Sequence, residues 1–466
     1  IIGICGSAMG SLAAMLKQKG YTVRGSDAMA YPPMSTFLEE RDIGIMKGYD
    51  ESNLDWDPDL VIVGNVCRAE YGDAVATRQR GFPYLSFPEA LRYFFFDSQH
   101  PLVVTGTHGK TTTTSMLAWI LYDAGVDPSF FAGGITGNFD SNFRLGDGDA
   151  FVIEGDEYDT AYFDKVPKFW HYKPFRATIN NIEFDHADIY EDIETIERMF
   201  RRFAELIPEE GSLWVNGDDR RAMEVSETAA APRKTFGLGG DNDLRAVEID
   251  YGAVTEVRVD HDGEDLGVFE LPAFGEFNVR NMLGATGIAL DEGLSPDAIR
   301  EAVAGFERVK KRQEVVGEVD DIMVIDDFAH HPTAVRATLE SLERSFPDRP
   351  IWAIFEIKSN TSRRRVFQED YPPAFAPADR VVLSKPCDKK DSLSEDERID
   401  LDKLVADTES HGPDIEMIPD VDEIVEFVAA NARPGDIVAG LSGSDFDGLH
   451  GKLVDLYLKR LERLDD

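Results

Sequence analysis

Cysteine is scarce in this chain. Cys5, Cys67 and Cys387 are the only three in 466 residues, far apart and odd in number. A disulfide scaffold and a thiolate metal cage are thereby excluded, and a reduced, cytoplasmic setting is expected. Positive charge is short as well. Lys and Arg number 48 against 88 Asp and Glu, a formal net charge of −40. Such a surface opposes nucleic acid and anionic membranes, so neither is expected as a partner. The acid is spread widely and is densest from Asp388 to Glu426, which suits a salt-rich medium that screens self-repulsion. No apolar run has the length of a membrane span, and no signal-peptide pattern opens the chain. Ile1 already lies in a strand-like run, so a short leader with its Met is expected to lie outside this numbering. Internal repeats and low-complexity linkers are missing too.

What is present is a βαβ rhythm. Apolar residues make up 42% of the chain, enough for packed interiors, and 466 residues are too many for one core. Three α/β domains are expected, over residues 1–97, 98–308 and 309–466. The first and third read as Rossmann-like, and the second as a P-loop ATPase-type parallel sheet. In the first, Ile1 to Gly6 reads as a strand, Ser11 to Lys19 as a helix and Leu60 to Asn65 as a buried strand. In the second, strands are expected at Leu102–Val104, Phe151–Glu154 and Ala177–Asn181, an antiparallel excursion from Gly237 to Leu271, and a helix from Asn278 to Glu292. In the third, strands are expected at Ile322–Ile325, Ile351–Phe355, Arg380–Leu383 and Ile437–Gly440.

The chemistry concentrates at strand ends. Gly106-Thr107-His108-Gly109-Lys110-Thr111-Thr112 sits between an apolar strand and a helix-like run. Backbone N–H groups and the helix dipole there face an anion, Lys110 adds a charge and Thr111 offers a hydroxyl to Mg²⁺. The two glycines are closer together than in the usual P-loop. Gly3, Gly6 and Gly10 lie between a strand and a helix, and Asp27 ends the next strand. A dinucleotide or the diphosphate of a sugar nucleotide would use these groups alike, so an NAD-linked oxidoreductase stands as a reading from another class. Glu154 to Asp159, with Asp185, His186 and Asp188, supply acids and an imidazole for a metal shell. Asp326-Asp327-Phe328-Ala329-His330-His331-Pro332 ends the first strand of the third domain and reads as a site.

Taken in order, the 106–112 turn, Glu154–Asp159, Asp185–Asp188, Asn278 with Asn281, and Asp326–Thr333 resemble the Mur ligase family across essentially the whole chain. The resemblance implies an ATP-dependent carboxylate–amine ligase of cell-wall synthesis and recycling, releasing ADP and phosphate. It implies ATP on residues 106–112 with Asn278, Asn281 and Arg312, and two Mg²⁺ sites drawing on Thr111, Glu154 and His186. It places Lys110, Glu154, His186, Asp327 and His330 in catalysis. Gly6, Ser7, Gly10 and Asp27 would bind the UDP-sugar, and Ser359, Asn360 and Thr361 the incoming peptide. Tyr31–Thr36, Asp156–Lys165, Lys168–Tyr172 and Ser359–Thr361 resemble the branch that joins L-alanyl-γ-D-glutamyl-meso-diaminopimelate to UDP-N-acetylmuramate. The alternative within the family is the UDP-N-acetylmuramate–L-alanine ligase. A monomer or weak homodimer is expected. Phe277 stands where the family usually has His, Phe328 where Tyr is commoner, and Arg201 where several relatives carry a carbamylated lysine.

Overall fold

The structure is a computed structural model that describes residues 1–96, 99–184, 190, 192–386 and 393–465. At the N-terminal end, two parallel strand pairs, Arg24–Asp27 with Gly44–Lys47 and Val61–Val63 with Tyr84–Ser86, flank a single bridging residue. That residue is Ile2, which bridges to both Ser26 and Val63. The expected strand over Ile1 to Gly6 is therefore reduced to one position. Gly3 takes φ +80°, turning the chain out of the sheet at once, and the helix Ser7–Gln18 starts earlier than its apolar pattern announces.

The central unit is one ten-stranded sheet. Its parallel middle runs Leu244–Asp250, Arg233–Gly237, Ser212–Asn216, Arg176–Ile179, His100–Thr105, Ala150–Glu154 and Ser129–Thr136. Antiparallel strands finish both edges, Thr255–His261 and Glu264–Leu271 on one side and Ser141–Arg144 on the other. The antiparallel excursion expected after Gly237 thus extends the same sheet. Leu102, Val103 and Val104 are fully buried, as a strand flanked on both sides by parallel neighbours must be. The helix Lys110–Asp123 follows, buried on nearly every side, and packs against the helix Glu276–Asp291.

The third sheet has six strands in the order Glu314–Val319, Ile322–Asp327, Ile437–Leu441, Ile351–Phe355, Arg380–Ser384 and Asp414–Ile418. Only the first pair is antiparallel. The other strands end at one edge, where open α/β sheets bind their ligands. Among the described residues no helix is long and apolar enough to cross a membrane.

Candidate active site

The phosphate loop is built by two glycines that no other residue replaces cheaply. Gly106 has φ +134° and Gly109 has φ +81°, the latter as the cap of the Lys110–Asp123 helix. A Cβ on Gly109 would overlap the side-chain oxygen of Asn281. Between the glycines the loop is pinned from the neighbouring strand end. Thr107 N–H donates to the Asn181 carbonyl at 3.0 Å, and His108 N–H to Asn181 Oδ1 at 2.7 Å. Lys110 Nζ donates to the Gly106 carbonyl at 2.7 Å and to Glu157 Oε2 at 2.8 Å. Burial pulls the Lys110 pKa down, but Glu157, Asp156 and Glu154 outweigh it and hold the ammonium firmly charged.

Glu154 ends its strand beside the loop. Its Oε2 accepts the Gly133 N–H at 2.7 Å, and the Thr111 hydroxyl hydrogen-bonds to the same carboxylate. Burial pushes the Glu154 pKa up. A carboxylate and a hydroxyl side by side at a helix N-terminus are hard oxygen donors, the chemistry that Mg²⁺ selects. His186, the other metal ligand expected, lies outside the described residues, as do Asp185, Asp188 and Cys387.

Neutral amides connect this loop to the third unit. Asn281 Nδ2 donates to Asn278 Oδ1 at 3.2 Å, and Asn278 Nδ2 donates to Gln313 Oε1 at 3.0 Å. Gln313 N–H then donates to Asp327 Oδ2 at 2.7 Å. Both asparagines are buried, and their side-chain N–H groups meet protein partners. A second connection runs beside the first. His108 Nε2 lies 2.9 Å from Glu183 Oε2, and the His108 and His331 rings are 5.3 Å apart. Burial raises the Glu183 carboxyl, but His108 and His331 outweigh that and leave it below its usual range. The ligand atoms of His108, Glu183 and His331 lie within 4.8 Å of one another, close enough to share an ion. The His108–Glu183 hydrogen bond already joins two of the three.

Asp327 also accepts the Ala329 N–H at 2.8 Å and the Thr338 hydroxyl at 3.2 Å. These bonds hold the chain leading to His330. There, Nδ1 lies 3.0 Å from the Phe328 carbonyl, which can only accept, so Nδ1 carries a proton. Arg312 stacks over the Phe328 ring at 4.3 Å, with Asp327 and Glu154 as its nearest acids. The aromatic residue at 328 therefore serves as a platform for this arginine.

At the N-terminal unit, Asp27 Oδ2 accepts the Cys5 N–H at 2.9 Å and Oδ1 the Met29 N–H at 3.2 Å, fixing the glycine turn. Gly6 is the cap of the Ser7–Gln18 helix. Gly10 lies inside that helix, packed so closely that a Cβ would run into the Met34 side chain. In the third unit, Ser359 and Asn360 lie in a turn beyond the strand Ile351–Phe355, and Ser359 Oγ accepts the Ser362 N–H at 2.8 Å. Thr361 is buried beside them.

The sequence did not single out Glu183 and Gln313, whose partners lie 75 and 35 residues away; Glu157 belonged to the expected acidic run, but not as the partner of Lys110, 47 residues away. Glu157 and Glu183 stand just past the ends of apolar strands, the one signal they give in the sequence, whereas Gln313 stands just before the strand Glu314–Val319.

Three family profiles match successive stretches: "Mur ligase family, catalytic domain" over residues 1–95, "Mur ligase middle domain" over 104–289 and "Mur ligase, glutamate ligase domain" over 311–443. The chain is 37% identical to the UDP-N-acetylmuramate–L-alanyl-γ-D-glutamyl-meso-2,6-diaminoheptandioate ligase of Escherichia coli (strain K12), over 99% of this chain and 98% of that one. It is 30% identical to the UDP-N-acetylmuramate–L-alanine ligase of Acetivibrio thermocellus, over 98% and 95% respectively. Among solved structures, the murein peptide ligase of Psychrobacter arcticus 273-4 superposes with a TM-score of 0.71 at 32% identity, covering 98% of both chains. The UDP-N-acetylmuramate–alanine ligase of Thermotoga maritima gives a TM-score of 0.79 at 21% identity, again over 98% of both, and shares the fold. With profiles in register along nearly its whole length and relatives above 30% identity end to end, the chain belongs to the Mur ligase family.

Proposed function

We propose that this protein is an ATP-dependent ligase joining L-alanyl-γ-D-glutamyl-meso-diaminopimelate to the lactyl carboxylate of UDP-N-acetylmuramate. One observation carries it: the phosphate loop faces the Asp326–Pro332 strand end, His108 against His331 at 5.3 Å. A phosphorylated carboxylate and an incoming amine can meet only in such a place. The relatives named for the tripeptide reaction, at 37–38% identity, favour it over the alanine-adding reaction, whose relatives stand at 28–34%.

In this reading residues 1–97 hold the UDP-sugar, 98–308 ATP and 309–466 the peptide. The N–H groups of residues 106–112 and Lys110 cradle the ATP phosphates, and Arg312 reaches them from the third unit. Lys110 leaves Glu157 to do so. Thr111 and Glu154 would hold Mg²⁺, with His186 as a further ligand. The metal, when bound, neutralises charge on the transferring phosphoryl group. The lactyl carboxylate oxygen attacks the γ-phosphorus, ADP leaves and an acyl phosphate forms. The alanyl amine attacks the acyl carbon, phosphate leaves, and His330 Nε2 accepts the amine proton. Asp327 positions His330 through the Ala329 N–H. The protein contributes positioning and charge rather than covalent chemistry.

The test is ADP release with UDP-N-acetylmuramate and Mg-ATP, with the diaminopimelate tripeptide in one sample and free L-alanine in the other. Turnover with the tripeptide alone is expected. Turnover with alanine alone would overturn the assignment in favour of the alanine ligase.

A further inference from the structure

One buried acid has no part in the reaction above, although it stands beside it. Glu356 is 7% exposed and comes directly after the strand Ile351–Phe355. The parallel register sets Phe355 opposite Leu441, and Leu441 opposite Asp327. Glu356 and Ser442, the next residues of the first two strands, are therefore neighbours at one sheet edge. The ladder continues past the strand ends. Glu356 N–H donates to the Leu441 carbonyl at 3.0 Å, and Ser442 N–H to the Asp327 carbonyl at 2.9 Å.

A buried carboxylate is costly unless its lone pairs are used. Here they are used on one short turn. Glu356 Oε2 accepts the Ser442 hydroxyl and, at 2.6 Å, the Ser444 hydroxyl, while Oε1 lies 3.0 Å from Lys358 Nζ. Ser442 Oγ in turn accepts the Ser444 N–H at 2.9 Å. From the other side Lys311, in the connector from the central unit, donates from Nζ to the Ser444 carbonyl at 3.0 Å. Hydrogen bonds to an ionised acceptor are the strong ones, so Ser442-Gly443-Ser444 is held in one conformation.

Between its two serines this turn passes the His330 ring. A methyl built on Gly443 would lie 3.4 Å from His330 Cγ and Nδ1, in ordinary van der Waals contact. The turn is thus a wall beside the imidazole, with a methyl's width between them. The Phe328 ring meets the imidazole edge-on at 5.2 Å, and the Phe328 carbonyl holds Nδ1. An ordered wall limits how far the ring can swing. A loose one leaves that task to the Nδ1 bond.

We infer that Glu356 is a positioning residue for His330: by fixing the Ser442–Ser444 turn it restricts the imidazole and keeps Nε2 aimed at the incoming amine. This rests on the proton-accepting role proposed for His330, which serves the tripeptide and alanine reactions alike, and it adds the group that keeps that imidazole in place.

The test is a double-mutant cycle on kcat, read as ADP release with whichever of the two amines turns over. His330→Ala is expected to lower kcat by at least about 100-fold. Glu356→Ala alone is expected to lower it about tenfold, because a small misplacement of a reacting group is enough. KM for ATP and for UDP-N-acetylmuramate should stay constant, which also reports intact folding. Glu356→Gln keeps a side-chain carbonyl for the two hydroxyls and should recover most of the loss. Ser442→Ala combined with Ser444→Ala should reproduce the loss, and this variant carries the cycle if Glu356→Ala fails to fold. In the His330→Ala background the change at Glu356 should cost nothing further, since it acts through the imidazole. A loss by the same factor in both backgrounds, or an unchanged kcat in Glu356→Ala, would overturn the positioning role and leave the ligase reaction standing. An unchanged kcat in His330→Ala would overturn the role of His330 and this inference with it.

Discussion

Gly109→Ala tests whether the phosphate loop and the amide chain behind it form one unit. Two costs are legible. Gly109 has φ +81°, and an L-residue held there costs roughly 1–2 kcal/mol. The added methyl also overlaps Asn281 Oδ1. Asn281 is 4% exposed and hydrogen-bonded to Asn278, so it has little room to retreat. Overpacking of that kind costs about 1–3 kcal/mol, which brings the total to about 2–5 kcal/mol. Asn281→Ala alone loses the bond to Asn278 and leaves a buried acceptor, again about 1–3 kcal/mol. In the double variant the overlap is gone while the backbone cost and the loss at Asn278 remain, so the double should be less destabilised than the sum of the singles by about 1–3 kcal/mol. Urea unfolding of the four proteins at a common m-value measures this, and ADP release shows whether the ATP KM follows. Additivity within ~0.5 kcal/mol would refute the contact as the origin of the glycine.

Three further outcomes are expected. Lys110→Ala should lower turnover by at least about 100-fold while UDP-N-acetylmuramate binding, read by calorimetry, stays near normal; near-normal turnover would reject the phosphate role. Burial raises the Asp326 carboxyl to about 7, with Glu314, Asp327 and Asp445 adding to the rise and Lys311 opposing it. Its folded pKa therefore lies above the unfolded value, the fold prefers the protonated acid, and this group's stabilisation fades as pH rises from about 4 to about 7. Asp326→Asn should accordingly stabilise the protein at pH 8 by roughly 2 kcal/mol and change little at pH 4; equal shifts at both pH values would refute the titration. The neighbouring His450, driven by burial down to about 4, has the opposite slope and should still cost stability on acidification. Finally, the net charge of −40 predicts a higher urea midpoint in molar salt than in low salt, and equal midpoints would show that self-repulsion is negligible.

What could be seen in the sequence was local. Strand, glycine turn, Lys-Thr and helix occupy neighbouring positions, so residues 102–123 could be read from turn chemistry and periodicity alone. The strands of the third unit were equally plain because they are buried on both faces and read as continuous apolar runs. Ile1 to Gly6 misled for the complementary reason. Its composition is that of a strand, but a positive φ at Gly3 ends pairing after Ile2. The packing of Gly10 against the Met34 side chain is a tertiary contact that its place in the glycine turn did not announce. Gln313 carries no local signature and Glu183 only its place past a strand end, because each matters through a partner brought up by the fold.

The amide chain also explains how so acidic a protein holds two units in register. A chain carrying −40 repels itself, and repulsion between units varies with salt. The links from Asn281 to Asn278 and from Asn278 to Gln313 join uncharged groups that are buried. Bonds of that kind are directional, feel screening little and fail sharply when a partner is removed. Charge enters only at the last link, Gln313 to Asp327, where the carboxylate faces Arg312. The part of the alignment carried by these amides therefore feels ionic strength little, while the ion pairs that also join the two units, Arg344 with Glu276 and Lys310 with Asp140 at 2.7 Å, are screened by salt. Turnover at saturating substrate should accordingly vary less with salt than the urea midpoint does, and a kcat that tracks the midpoint would place the alignment in surface charge instead.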